Sequence, residues 1–485
     1  MAKLSRYPLL LALAFAALSC KLVANLGQTP APPTFRAQPS HSPTLYLATT
    51  APTTSAPLPS TTPPPTLPVV PGFTFTPTFT PPPSPTELAP TATIDPSAIA
   101  RQLKVFEELW QIVHDRYLYP DFNGLDWEAI GAEYRARIAA GMTDEDFYQS
   151  LREMIRRLGD EHSVFFSPQE AAERDREFQG QYNYVGIGVM TALIPERQRL
   201  AILLVFPGSP AEEAGLRPHD SILSVDGLPV VGESGPLQNL LRGFEGSIVE
   251  LSVQTPGEPP RQVRITRRAV NAQLPLPRAA LASPGGKRIG YIFVPTFNDT
   301  NIDEMIGQAL DELSAGGALE GLIIDNRYNS GGASDVLLNT LGYFTSGPVG
   351  MFIENREQIL LRAGRQPETR FQNLPLVILI GPGTASFGEV FAGALKDLGR
   401  AYVIGEQTEG NVEVLSIFDL SDGSRAWIAT STFRPLNHPD QNWEESGIIP
   451  DLMVHSAWDE FTLETDPAVL SALQYFDGTL TNTNP

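Results

Sequence analysis

From Ile99 onward the chain places apolar residues at helical spacing. Ile99, Leu103, Phe106, Trp110, Val113 and Tyr117 make one stripe, and Leu125, Trp127, Ile130, Tyr134 and Ile138 make a second. Thr143 followed by Asp146 marks the capped start of a third helix carrying Phe147, Leu151, Met154 and Leu158. These stripes predict a helical subdomain over 99–170 whose aromatic residues pack a core. The period then shortens. Residues 175–270 hold strand-like runs at 200–205, 221–225, 248–253 and 261–266, with an Asp226-Gly227 hairpin turn and a short helix over 209–216 ended by glycine. A further helix is expected to begin at 237–241. From 285 to 456 strand and helix alternate: strands at 289–294, 322–325, 376–380 and 402–405, with helices over 302–313, 334–344 and after Ser386. Repeated crossovers of this kind call for an α/β domain with largely parallel strands, whose sites gather at the C-terminal strand ends.

One such end carries the candidate chemistry. The unbroken apolar run 376–380, closed by Gly381-Pro382-Gly383, reads as a strand buried on both faces. Phe387, Val390, Phe391, Ala394, Leu395 and Leu398 then recur at helical spacing, so Ser386 sits at the turn from strand to helix. Unpaired backbone N–H groups and the positive end of the helix dipole at such a turn can stabilise an oxyanion. An ordinary helix N-cap is the commoner reason for serine at such a turn, and the stretch alone leaves both readings open. Asn329-Ser330-Gly331-Gly332 lies at the end of the neighbouring strand.

Composition narrows the partners. The chain has 485 residues, a formal net charge of −21 and a single cysteine, Cys20. The charge argues against nucleic acid and anionic lipid, and one cysteine excludes an intrachain disulfide. Residues 1–20 have an export pattern: Lys3 and Arg6, a short apolar core and small residues before Cys20. Residues 21–98 hold 20 of the 45 prolines and almost no charge, so they predict an extended, disordered tether.

Several motifs occur in one order: Asp160-Glu161-His162-Ser163, then Gly208-Ser209-Pro210-Ala211 with Val225-Asp226-Gly227, then Asp325 to Gly332, then Thr384-Ala385-Ser386-Phe387-Gly388-Glu389. Together they resemble the carboxy-terminal processing (tail-specific) peptidases, a branch of serine peptidases that also contains the tricorn proteases. The resemblance implies a ClpP/crotonase-like α/β catalytic domain (285–456) with an inserted PDZ-like domain (175–270), the N-terminal helical subdomain (99–170) and a C-terminal tail (457–485). It implies Ser386 as nucleophile and an oxyanion hole from Gly331, Gly332 and Phe387. The Val185, Gly186, Ile187 and Gly188 loop would capture a peptide C-terminus while the peptide adds a strand. His219 stands where such PDZ domains usually carry glycine. The end of the first segment resembles a bacterial lipoprotein site, with Cys20 lipidated and the protein held at the outer face of the cytoplasmic membrane or in the periplasm; ordinary signal cleavage and a retained anchor are the alternatives.

The pattern breaks at one place. The processing peptidases pair serine with a lysine in a Thr-x-Gly-Lys-Gly motif; here the motif reads Thr408-Glu409-Gly410-Asn411-Val412, and an amide cannot take the serine proton. By resemblance to the tricorn branch, His162 would be the base and Glu444 would orient it, with Glu161 a second orienting candidate and His438 a second candidate base. The alternative is a peptide-binding protein that has lost its base. The expected function is exported serine endopeptidase chemistry on unstructured or C-terminally presented polypeptides. Neither a cofactor nor a metal is called for, because the histidines lack ligand spacing in the sequence, and membrane contact is expected only through the N-terminal anchor.

Overall fold

The computed structural model describes residues 95–480 apart from 161, 179–181, 233–234, 237–239, 355–356 and 367–368. Cys20, the signal segment, nearly all of the tether, Glu161 and the start of the helix expected at 237 lie outside the described residues. Residues 240 and 241 form a turn.

The helical stripes fold as read. Helices Pro96–Arg116, Trp127–Ala139 and Asp144–Arg156 bury Phe106, Trp110, Val113, Trp127, Ile130, Tyr134, Phe147, Leu151 and Met154 in one cluster. Thr143 caps the third helix by accepting the Asp146 N–H at 3.1 Å. The same cluster contains Leu415, Trp427 and Ile428, so the helices pack on a sheet from far along the chain. In that sheet the long strand Arg425–Pro435 is the hub: it pairs antiparallel with Val164–Phe166, Pro348–Glu354 and Glu413–Asp419.

The largely parallel sheet runs in the order Arg278–Ala282, Arg288–Phe293, Gly321–Asp325, Leu376–Ile380, Tyr402–Gly405, Leu452–Met453, and every pair after the first is parallel. Helices Ile302–Ala315, Ser334–Phe344 and Phe387–Asp397 fill one face. Leu376–Ile380 is buried throughout, as its unbroken apolar run demands.

The other face is covered by chain beyond 456. Trp458 is buried, and helix Pro467–Asp477 sets Ala468, Val469, Ala472, Leu473 and Phe476 against the sheet. The segment expected as a tail is thus part of the core up to residue 477. One buried ion group ties it down. Arg327, 4% exposed, donates to both Asp325 carboxylate oxygens (2.9 and 2.6 Å) and to Asp466 Oδ2 (2.6 Å). Asp466 in turn caps the last helix through the Ala468 and Val469 N–H groups. Arg327→Met would strand two buried carboxylates, so the expected cost is about 3–5 kcal/mol, read as a lower midpoint in urea unfolding. An unchanged midpoint would show that the group carries no net stability.

The PDZ sheet has the order Arg261–Thr266, Ile248–Gln254, Ser221–Val225, Arg199–Val205, Val189–Ile194, which leaves Val189–Ile194 at an edge. Asp226 (φ 52°) and Gly227 (φ 77°) form the hairpin turn read from the sequence. This domain docks on the tail: His219 stacks on Trp458 (centroids 4.1 Å apart, rings 13° from parallel), its Nδ1 meets the Trp458 carbonyl at 2.8 Å, and Trp458 Nε1 donates to the Ile202 carbonyl. His219 has φ 75°, a conformation that favours glycine. The strain is held in place by this stacked contact. Burial also pushes its imidazole pKa below the usual value.

Candidate active site

Ser386 stands between strand Leu376–Ile380 and helix Phe387–Asp397 with φ 54° and ψ −128°, a backbone conformation that costs energy for a side chain with a Cβ. Two neighbouring strand-end loops hold it there. Thr384 Oγ1 donates to the Asn326 carbonyl (2.9 Å), the Ala385 N–H to the Asn329 carbonyl (3.0 Å), and Asn326 Nδ2 to the Gly388 carbonyl (2.8 Å). Gly331 (φ 85°) faces the serine so closely that a Cβ there would lie 3.0 Å from Ser386 Oγ and 2.9 Å from the Phe387 nitrogen. The Gly331 N–H is donated to Asn329 Oδ1 at 3.0 Å. The Gly332 and Phe387 N–H groups have no hydrogen-bond acceptor among the described residues, and neither does Asn329 Nδ2.

Glu389, three residues into the capping pattern Ser-x-x-Glu, is fully buried beneath the serine. It accepts from the Ser386 N–H (3.2 Å), the Gly410 N–H (3.1 Å), the Asn411 N–H (2.7 Å) and the Thr408 hydroxyl. Burial pushes its carboxyl up to about 7, and these donors work against that rise. Asn411, at the expected lysine position, therefore holds the helix start through its backbone.

The next two residues hold a second carboxylate. Val412 and Glu413 donate their N–H groups to Glu444 Oε2 at 2.6 and 3.0 Å, and Glu444 Oε1 meets His162 Nε2 at 2.8 Å. The turn presenting His162 is fixed by Asp160, which accepts the His162 and Ser163 N–H groups. Burial opposes a charge on His162, but the Glu444 hydrogen bond and the charges of Glu444, Glu413 and Asp160 outweigh it and raise the pKa to about 8. Burial also disfavours the Glu444 carboxylate, yet its bonds to His162 and the two N–H groups hold its pKa below the ordinary value.

The segment 408–413 thus connects the two halves. The structure brings His162 to Glu444 and brings Ser386 to Gly331 and Phe387. Among the described residues no hydrogen bond joins His162 to Ser386. His438, 60% exposed, bonds Asp397 at the far end of the helix that Ser386 begins, about 16 Å of rise away. Lys396 at that same end pairs with Asp451, and Lys287 bonds the Phe476 carbonyl. The peptide-binding candidates sit in and just after strand Tyr182–Gly186: Gly186 bridges Arg242, the Ile187 carbonyl accepts from Ala211, and the Gly188 carbonyl from Phe206. The loop leads directly into Val189–Ile194, an edge strand of the PDZ sheet among the described residues.

Sequence reasoning did not single out Glu413 or Tyr119. Glu413 is 5% exposed, lies beside His162 and accepts a hydrogen bond from the Tyr119 hydroxyl. These residues are separated from each other and from His162 by dozens to hundreds of positions, and no local spacing marks them.

Comparison with known proteins extends along the same frame. Residues 288–454 match peptidase family S41, residues 101–156 the tricorn protease C1 domain and residues 202–255 a PDZ domain. The chain is 30% identical over 379 residues to a carboxyl-terminal-processing protease of Synechocystis sp., covering 77% of this chain and 86% of that protein. It is 29% identical over 337 residues to carboxy-terminal processing protease CtpB of Bacillus subtilis, covering 68% and 66%. A solved structure of a photosystem II D1 C-terminal processing protease is similar with a TM-score of 0.52 at 29% identity, covering 73% of this chain and 92% of that one. Because the similarity runs through the helical, PDZ and catalytic regions alike and not through one module alone, the chain belongs to peptidase family S41, as a serine peptidase of the carboxyl-terminal-processing type.

Proposed function

We propose that the protein is an exported, lipid-anchored endopeptidase that cleaves unstructured polypeptides presented by their C-termini. The observation that carries the reading is the strained Ser386 junction facing Gly331, with the Phe387 N–H uncommitted beside it among the described residues. Ser386 Oγ attacks the scissile carbonyl, and the Phe387 N–H and the Gly331–Gly332 turn, through the Gly332 N–H, stabilise the resulting oxyanion. His162 takes the serine proton and returns it to the leaving amine, so the acyl-enzyme forms as the peptide bond breaks; water then releases the acyl group by the same route. With Nε2 committed to Glu444, Nδ1 is the nitrogen that accepts the proton, and Glu444 stabilises the imidazolium. Substrate binding must close the gap between the two halves, a common difference between free and loaded sites.

The substrate's C-terminus is captured at Val185 to Gly188 and its chain adds to the edge strand Val189–Ile194. The small residues before Cys20 support lipidation there, and the Pro/Thr-rich stretch to residue 98 supports a tether from the membrane's outer face. The test is reaction of the protein with a fluorophosphonate, with peptide mapping of the product, alongside cleavage of an unfolded polypeptide with a free or an amidated C-terminus. A single adduct at Ser386 and a higher KM for the amidated substrate are expected. No adduct together with no cleavage would reject the peptidase chemistry for this chain.

A further inference from the structure

Three side chains from distant parts of the chain converge beside the base. His162 Nε2 lies 2.8 Å from Glu444 Oε1 and 4.0 Å from Glu413 Oε2, and one donor atom from each of the three falls within 4.8 Å of the others. An ion with metal–ligand bonds of about 2.1 Å in tetrahedral geometry needs donors about 3.4 Å apart, a separation that the 2.8 and 4.0 Å distances from His162 straddle. Each carboxylate has one oxygen locked by the protein and one turned to the imidazole. Glu444 Oε2 is held by the Val412 and Glu413 N–H groups, and Glu413 Oε1 by the Tyr119 hydroxyl. Outer contacts of this kind orient metal ligands.

An independent observation points to a missing partner. Glu413 Oε2 is buried and accepts no hydrogen bond, in a side chain only 3% exposed. Such an oxygen is costly to leave without a donor or an ion. His162 and Glu444 keep 16% and 18% of their side-chain surface, which gives an ion a way in.

We propose that His162, Glu413 and Glu444 form a binding site for a divalent transition metal of the zinc class, and that the bound ion inhibits the peptidase. One imidazole with two carboxylates is a zinc-type donor set, and its two negative charges balance the ion. Water supplies the fourth position. Inhibition rests on the reading of His162 as the base: an ion on Nε2 takes the place of its hydrogen bond to Glu444, and the imidazole can no longer gain a proton as an imidazolium held by that carboxylate. The binding site itself does not depend on that reading.

The experiment separates the two. Untagged, chelator-treated full chain carrying Ser386→Ala is titrated with zinc chloride by calorimetry, and with cobalt(II) while the visible spectrum is recorded. One zinc per chain and an intense tetrahedral cobalt band are expected, with affinity falling at least about tenfold in Glu413→Gln and in His162→Gln. No binding, or binding undiminished in both variants, would overturn the site. In the active protein, zinc at saturating concentration should abolish cleavage, and EDTA should restore it. Stoichiometric binding that leaves cleavage unchanged would overturn the inhibition and count against His162 as base, while the metal site would stand.

Discussion

Ser386→Ala is expected to lower kcat/KM for polypeptide cleavage by about 10⁴-fold or more, because the acyl-enzyme can no longer form. Fluorophosphonate labelling should vanish with it. The fold should survive: the Ser386 N–H bonds Glu389 and its carbonyl accepts from the Glu389 and Val390 N–H groups, and alanine keeps all three. Loss of the strained φ of 54° is not expected either, since the loops at 326–329 and 384–388 impose it through three bonds between them. Folding is checked by circular dichroism and urea unfolding, activity by a fluorogenic peptide. A variant that retains more than a tenth of wild-type activity would mean that another group is the nucleophile.

His162→Gln is the second large effect. General-base catalysis contributes about 10²–10⁴-fold, and glutamine keeps a donor for Glu444 but offers no basic lone pair. The pH profile gives the sign. The base form of His162 is the one that works, and its pKa is raised to about 8 because the Glu444 bond and the charges of Glu444, Glu413 and Asp160 outweigh burial. In chelator-containing buffer, kcat/KM should therefore rise about tenfold per pH unit below that value and level off above it. Glu444→Gln removes the strongest of the groups that favour the imidazolium, so its profile should turn at lower pH and reach a lower plateau. A flat profile from pH 6 to 9, or full activity in His162→Gln, would remove His162 from the mechanism. His438 would not replace it, since it sits at the opposite end of the nucleophile helix.

Much of this protein is legible in local pattern, because local pattern is what sets helices, strands and turns. The stripe from Phe106 to Tyr117, the cap at Thr143, the apolar run 376–380 and the Asp226-Gly227 turn each follow from side-chain spacing or from the backbone conformations that a residue permits. The motif order from Asp160 to Glu389 carried the family. Chain beyond 456 was harder: Trp458 and the helix Pro467–Asp477 have ordinary composition, and their place in the core depends on the sheet face they cover.

What the sequence by itself determined was the identity of the chemistry: a serine at a strand-to-helix turn, a glycine turn beside it, and Asn411 where a lysine base would be. Only the tertiary structure decided what surrounds His162. His162, Glu413 and Glu444 lie up to 282 positions apart, and their meeting depends on how the helical subdomain packs on the sheet around Arg425–Pro435. No spacing rule reaches that far, because long-range contacts are set by which apolar faces find each other and not by the intervening chain. The same packing aims the lone Glu413 oxygen at an imidazole, and that oxygen is the feature that calls for an ion.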